Sequence, residues 1–103
     1  MILIHVICKN KQEAKKIANF LLKLKLIAGA DFYQVESVYR WNNKIVNDKK
    51  IAMFLKTKKE NYKKIETVFK KLSSNEVPCI FEIVLNKANR QYKDWVKQET
   101  RIV

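Results

Sequence analysis

Three side chains of this 103-residue sequence have the chemistry of a nucleophile, a general base or a soft metal ligand: His5, Cys8 and Cys79. His5 is the only histidine, and neither cysteine has a histidine beside it in the sequence to activate its thiol. His5 and Cys8 lie three positions apart, so on a regular strand they point to opposite faces and cannot bind one ion together. We therefore predict no catalytic site, and a histidine whose polar atoms are satisfied within the core.

The two cysteines are too few and too far apart for a disulfide scaffold or a zinc knuckle. Each lies in an apolar run, where a free thiol usually packs as a small hydrophobe. If paired strands bring Cys8 and Cys79 together, the two thiolates would suit copper(I) better than zinc or magnesium. We favour two buried hydrophobes and expect no certain cofactor, with copper held weakly if at all.

Charge is the strongest compositional signal, because 22 Lys and Arg residues against 10 Asp and Glu residues give a net charge of +12. Such a balance is compatible with nucleic acid, an anionic membrane surface or acidic ligands. Only three basic residues are arginine, whose planar fork is preferred in specific base and phosphate recognition. We therefore expect no specific nucleic-acid partner. The charge is explained either by drift toward A/T-rich codons or by a dedicated anion-binding surface.

Hydrophobic periodicity predicts a β-α-β-β-α-β order followed by a terminal helix. The first strand is Ile2–Cys8, apolar on both faces and therefore central, and Asn10 with Glu13 forms a capping box for the first helix. Residues 30–41 and 44–57 form a long hairpin around an Asn42-Asn43 turn. The second helix buries Tyr62, Ile65, Phe69 and Leu72. A fourth strand follows over Val77–Leu85, and Pro78 places it at an edge of the sheet. The last helix is capped by Asn89 and buries Tyr92, Trp95 and Val96.

With right-handed crossovers, this order predicts an α+β, ferredoxin-like sandwich in one domain over residues 1–103. Its two helices cover one sheet face and leave the other bare, and the long hairpin projects unpaired edges. Tyr39 and Trp41 share a parity and point to one side near the hairpin tip. We interpret the hairpin as embracing a neighbouring subunit. No apolar run reaches the roughly 20 residues of a membrane span and no signal peptide is recognisable, which predicts a cytoplasmic protein.

Four segments carry a more specific signal. They are Ser37-Val38-Tyr39-Arg40-Trp41, Lys56-Thr57, Glu76-Val77-Pro78 and Asn89-Arg90-Gln91-Tyr92-Lys93-Asp94-Trp95. In this order and spacing, the sequence resembles the CutA divalent-cation-tolerance family from its first strand to its last helix. The resemblance implies a ferredoxin-like homotrimer related in shape to the PII signalling proteins, with three sheets packed around a threefold axis and hairpins locking adjacent subunits.

The same resemblance implies two candidate sites. One is a metal site, for which Cys8 matches a cysteine of some family members, whereas Leu72 and Ser73 stand where those members have histidines. Gly29 and Cys79 likewise replace a frequent cysteine and a usual glutamate. The other is a cleft or interface between subunits that could hold a small anionic effector. Its residues are Tyr39, Arg40, Trp41, Lys56, Glu76, Tyr92 and Trp95.

The resemblance therefore implies a non-enzymatic trimer linked to tolerance of, or response to, divalent metal ions such as copper, with PII-like signalling as a further expectation. Two alternatives stay open. One is a basic RNA-binding module, although the aromatic stripe typical of RNA-recognition domains is missing from strands one and three, where only Phe54 is aromatic. The other is an enzyme whose site is assembled between subunits.

Overall fold

The computed structural model describes residues 1–101, which form a four-stranded antiparallel sheet and three α-helices. The strands are β1 (Ile2–Cys8), β2 (Gly29–Trp41), β3 (Lys44–Thr57) and β4 (Ile80–Val84). The helices are α1 (Lys11–Lys23), α2 (Tyr62–Leu72, preceded by a 3₁₀ turn at Lys59–Asn61) and α3 (Arg90–Glu99). The predicted order of elements and the ferredoxin-like α+β class are thereby confirmed.

The sheet order is β2-β3-β1-β4, so β1 is central and β4 lies at an edge, as predicted. Val6 pairs with Met53 of β3 on one side and with Ile80 of β4 on the other. β4 begins at Ile80, three residues later than the predicted Val77, because Pro78 lacks the N–H that strand pairing needs. The shortened strand leaves residues 74–79 as a connection that passes beside the sheet.

The core lies between the sheet and the first two helices. Alternate residues of β1 are fully buried, from Ile2 to Cys8, and pack with residues of α1, β3 and α2 such as Leu21, Met53 and Phe69. His5 lies on the opposite face of β1, so the prediction of a core histidine with satisfied polar atoms is wrong. Its Nδ1 is buried and has no hydrogen-bond partner among the described residues. The alternation of β1 decides this, because an odd position cannot share the face of Ile4 and Val6.

Helix α1 starts at the predicted cap. The Asn10 side chain accepts a hydrogen bond of 2.8 Å from the Glu13 backbone N–H. Glu13 reaches back to the N–H of Lys9 rather than that of Asn10, at 2.9 Å, and also accepts from the N–H of Ser74 at 2.9 Å. The second contact joins the start of α1 to the chain that follows α2, so this glutamate fastens two distant segments as well as one helix end.

The β2–β3 hairpin is paired along its whole length, from Gly29 with Lys56 to Trp41 with Lys44. Asn42 and Asn43 both have positive φ angles, 50° and 63°, which form the tight turn that the Asn pair predicts. The hairpin extends past the helices and gives the chain an elongated shape, with principal extents of 46 × 26 × 21 Å.

The helical ends differ from the prediction in three ways. Asn89 stands at the N-cap of α3, but its side chain makes no capping hydrogen bond. Trp95 and Leu72 are both at least one-third exposed, whereas Val96 is buried as predicted. α3 lies at the end of the sheet, so only one of its faces meets the protein, and Trp95 remains at the margin. No helix within residues 1–101 is long and apolar enough to cross a membrane.

Candidate functional site

The face of the sheet that the helices leave uncovered, called here the open face, carries an aromatic cluster. His5 stacks on Phe81, with ring centroids 4.7 Å apart, and meets Phe54 edge-on at 5.2 Å. Tyr33 contacts the other side of Phe54, also edge-on, at 5.4 Å. The cluster draws one residue from each of the four strands and gives the open face an apolar centre.

Two members of this cluster, Tyr33 and Phe81, were missed by the sequence analysis, which looked for a base-stacking aromatic stripe only on strands one and three. Tyr33 pairs with Ala52, and Phe81 pairs directly with His5. The alternation of residues along β2 and β4 was the sequence signal for placing Tyr33 and Phe81 on the open face, because cross-strand partners share a face. The register that places Tyr33 beside Phe54 and Phe81 beside His5 is a property of the assembled sheet.

A cavity of about 620 Å³ lies between the hairpin and residues 74–79. Three predicted site residues line it, namely Tyr39, Trp41 and Glu76. Lys50 places its Nζ 4.5 Å from the centre of the Tyr39 ring, and the Tyr39 hydroxyl donates to the Asp48 carboxylate at 3.3 Å. The prediction that Tyr39 and Trp41 point to the same side is confirmed. We call this group the hairpin cluster.

Three more of the predicted residues, Lys56, Tyr92 and Trp95, gather at the other end of the open face. Lys56 forms an ion pair of 2.5 Å with Asp31, and both line a second cavity, of about 310 Å³, together with Tyr92. Trp95 lies 5.5 Å from Tyr92, ring centre to ring centre. A methyl group added at Gly29 would lie 3.4 Å from the Trp95 ring, an ordinary van der Waals contact, so this ring lies directly over Gly29. We call this group the lysine cluster.

Opposing influences act on the pKa of Lys56. Burial lowers the pKa, whereas hydrogen bonding and attraction to Asp31, with a smaller contribution from Tyr92, raise it, and the net result is a raised pKa. The lysine therefore stays protonated at neutral pH. Its positive charge and the neighbouring phenol together offer donors to an anionic or carbonyl group entering the cavity.

The two clusters cannot meet within one chain. Tyr39 pairs with Val46, and Lys56 lies ten positions further along β3. At about 3.3 Å per residue, the separation is on the order of 30 Å. Arg40 is exposed on the opposite face of β2 and contacts neither cavity. A site that uses both clusters would therefore need two copies of the chain.

The cysteines lie on opposite faces of the sheet. Cys8 is fully buried in the core, while Cys79 lines the cavity of the hairpin cluster. Burial, and secondarily the charge of Glu13, raises the pKa of the Cys8 thiol to about 12. A metal ligand must be the thiolate, which this environment disfavours. No group of three or more His, Cys, Asp or Glu residues within residues 1–101 has the geometry to hold a metal ion.

Proteins described as divalent-cation tolerance proteins are similar to this chain in sequence over nearly its whole length. A divalent-cation tolerance protein CutA of Pyrococcus horikoshii is 31% identical over 101 residues, which cover 98% of this chain and 99% of the relative. A protein of the same description from Thermotoga maritima is 32% identical over 98 residues, covering 95% and 97% of the two chains.

Solved structures agree with these relatives. The crystal structure of CutA1 from Pyrococcus horikoshii superimposes with a TM-score of 0.94 at 29% identity, covering 99% of this chain and all of the other. A protein from Archaeoglobus fulgidus, described as a periplasmic divalent cation tolerance protein, gives a TM-score of 0.95 at 27% identity over 98% of this chain and all of its own. A PII-like CutA protein from Nostoc shares the fold, with a TM-score of 0.90 at 21% identity over the full length of both chains.

The family model described as "CutA1 divalent ion tolerance protein" matches residues 2–99, nearly the whole chain. This match and the relatives above agree with the four sequence segments and with the ferredoxin-like sheet. The chain belongs to the CutA divalent-cation-tolerance family.

Proposed function

We propose that this protein is a cytoplasmic, non-enzymatic homotrimer, one domain over residues 1–103, that contributes to tolerance of divalent metal ions including copper by binding a small effector between subunits. The observation that carries the proposal is the separation of the hairpin cluster from the lysine cluster. Residues that the family resemblance groups in one cleft lie on the order of 30 Å apart in one chain. Two subunits would bring them together.

Exposed apolar surface supports the assembly. Tyr33, Phe54 and Phe81 present their rings on the open face, and a bare apolar face of this extent is unusual on a monomer. At the hairpin tip, Val38 and Ile45 are each 68% exposed and contact no core. A neighbouring subunit would cover both regions, since the tip projects beyond its own domain.

Within such a cleft, each cluster would have a distinct role. Lys56 would supply a fixed positive charge, and Tyr92 a hydroxyl donor. Tyr39 and Trp41 would supply aromatic walls, and Glu76 a hydrogen-bond acceptor. This set suits a small molecule with an anionic group and a flat apolar part. It lacks a paired nucleophile and base, which is why we propose binding and signalling in the manner of PII proteins.

In this proposed function, copper is a stress to which the protein responds, and the protein does not bind it tightly. Cys8 is the ligand proposed from the family resemblance, but its thiol is buried in the core with a strongly raised pKa. Cys79 cannot join it, because the sheet separates the two sulfurs. The residues present do not fit a strong copper site within one chain, so any binding through Cys8 would be weak.

Assembly is tested by light scattering coupled to gel filtration. We expect a mass of about three times 12.3 kDa at micromolar concentration. A monodisperse monomer would contradict the proposed cleft, because the hairpin cluster and the lysine cluster cannot meet within one chain.

The cellular role is tested in a bacterium that lacks its own CutA protein. Expression of the wild-type chain should restore growth in elevated copper, and Lys56→Met should abolish the effect while leaving the trimer intact. Lys87→Met provides a control with the same chemical change at an exposed position. Equal growth with and without the wild-type chain would refute the link to metal tolerance.

A second candidate function, RNA binding through the open face, is favoured by one observation, the aromatic residues on all four strands. RNA-recognition domains stack bases on such a face. Here His5 and Phe81 stack on each other, so one face of each of these two rings is already occupied. If this candidate is correct, the protein is a monomer that binds single-stranded RNA, and Phe81→Ala weakens that binding. A trimer that does not bind single-stranded RNA would exclude it.

A further inference from the structure

The positive charge is concentrated on one side of the molecule. Residues 9–25 and 58–71, which contain α1 and α2 and are called here the helix layer, hold twelve of the nineteen lysines. They hold only three of the ten acidic residues, so their net charge is +9 out of +12. A drift in codon composition would add lysines throughout the chain. The segregation instead indicates a surface with a distinct electrostatic role.

The lysines of the two helices face away from the sheet. Ala14, Ile17 and Leu21 of α1, with Ile65 and Phe69 of α2, are buried against the core. Helical periodicity then places the polar positions on the outer side. Their lysines are all exposed, namely Lys11, Lys15, Lys16, Lys23, Lys63, Lys64, Lys70 and Lys71.

The three acidic residues of the helix layer, Glu13, Glu60 and Glu66, offset only a quarter of the charge of its twelve lysines. Glu13 is engaged by the backbone N–H groups of Lys9 and Ser74 at the end of α1. Glu66 lies 3.9 Å from Lys70 and accepts a hydrogen bond from Tyr62. The outer surface therefore presents lysines in large excess over free carboxylates, and its potential is positive.

Apolar side chains accompany the lysines at the end of α1. Phe20, Leu22 and Leu24 are 44%, 39% and 43% exposed, and the two leucines alternate with Lys23 and Lys25. Phe20 and Leu24, four positions apart, lie on the same side of the helix end and form an exposed apolar pair among the lysines. A mixture of lysines with exposed Phe and Leu is typical of helices that rest on membrane surfaces.

We propose that the helix layer docks on the surface of an anionic lipid bilayer. The lysines would lie among the negatively charged headgroups, and Phe20 and Leu24 would reach the acyl boundary. Nucleic acid is the less suitable partner, because arginine is absent from the helix layer and apolar side chains gain nothing from phosphates. The contact is peripheral and adds no membrane-spanning element.

This surface does not depend on the proposed trimer. The helix layer covers the face of the sheet opposite the open face, so it stays accessible in either oligomeric state. Failure of the trimer would leave the membrane proposal intact, and the reverse also holds.

The test is cosedimentation with phosphatidylcholine vesicles that contain either no anionic lipid or about 40% phosphatidylserine. We expect binding only to the anionic vesicles, weakening as salt increases. Lys16→Gln, Lys23→Gln and Lys63→Gln combined should reduce partitioning on the order of 100-fold, since each lysine near an anionic surface contributes about 1 kcal/mol. The matched control is Lys87→Gln, Lys93→Gln and Lys97→Gln, which removes the same charge from exposed positions outside the helix layer.

A second pair of substitutions separates lipid from nucleic acid. Phe20→Ser with Leu24→Ser keeps every charge and should still weaken vesicle binding about tenfold, without weakening contact with a DNA duplex. Circular dichroism verifies that each variant is folded. Equal losses from the two lysine triples would overturn the proposal. The proposal would also be overturned if the Phe20→Ser, Leu24→Ser variant bound anionic vesicles as well as the wild type does and bound the DNA duplex more tightly than it binds the vesicles.

Discussion

The imidazole of His5 stacks on the ring of Phe81, with 4.7 Å between the centroids and 22° between the planes. This contact places the only histidine of the chain at the centre of the open face, away from the core. The Nδ1 atom is shielded from solvent and has no partner within residues 1–101. A titratable group thus lies on the surface that we propose as the subunit interface.

The first prediction concerns the pH dependence of this face. Burial lowers the pKa of His5 below its ordinary value of 6.5, so the unfolded chain binds a proton more readily than the folded chain. Stability associated with neutral His5 is therefore present above pH 6.5 and is lost as the pH falls through the lower folded pKa. We expect His5→Phe to raise the melting temperature more at pH 5 than at pH 8. An identical change at both pH values would show that His5 titrates normally.

A second prediction tests the hairpin tip. Ile45 is exposed in the single chain, so Ile45→Glu should leave the folded subunit intact and place a charge in the proposed interface. We expect the mass in solution to fall from about three times 12.3 kDa toward 12.3 kDa. Asn19→Glu, an equal charge change at an exposed position of α1 away from the hairpin, controls for charge alone. An unchanged mass for Ile45→Glu would place the tip outside the interface.

The third prediction concerns Glu13, which joins the start of α1 to the segment after α2. Although burial alone raises the pKa of this carboxyl, its hydrogen bonds to Lys9 and Ser74 lower it overall. Glu13→Gln should reduce the free energy of unfolding by about 1 kcal/mol at neutral pH, because an amide accepts these bonds less strongly.

The effect of Glu13 should fade in acid. Its stabilisation is present above the ordinary pKa of 4.5 and is lost as the pH falls through the lowered folded value. Denaturant titrations at pH 7 and pH 3 measure both quantities. Glu60→Gln, the same change at an exposed glutamate in the turn before α2, should have little effect at either pH. Equal losses for the two variants would contradict the assigned role.

The fourth prediction concerns copper. A rise in the Cys8 pKa from 9.0 to about 12 reduces its thiolate fraction at neutral pH by about 1000-fold. We therefore expect weak copper(I) binding that is reduced by Cys8→Ser, and no specific binding of zinc, magnesium or calcium. Competition with a copper(I) chelator under reducing conditions measures the affinities, with Cys79→Ser as the control. Tight copper binding that survives Cys8→Ser would disprove the ligand assignment, and tight zinc binding would disprove the argument as a whole.

Local patterns in the sequence were sufficient for most of the fold. The alternation of Ile2, Ile4 and Val6, the Asn10 cap and the Asn42-Asn43 turn each depend on neighbours within a few residues, and the structure has all of them. The start of β4 was placed three residues too early because Pro78, although tolerated at a sheet edge, lacks the N–H that strand pairing needs. The burial of Trp95 was overestimated because helical spacing does not reveal how much of a terminal helix meets the protein.

Long-range register decided the candidate site. The motifs identified Tyr39, Glu76, Lys56 and Tyr92, but only the pairing of β2 with β3 separates them into two clusters at opposite ends of the open face. Likewise, spacing along β1 showed that His5 and Cys8 diverge, whereas the sheet had to form before Cys79 could be placed on the opposite face from Cys8. Side-chain direction is a local property of the backbone, and proximity between distant residues arises only when the chain packs.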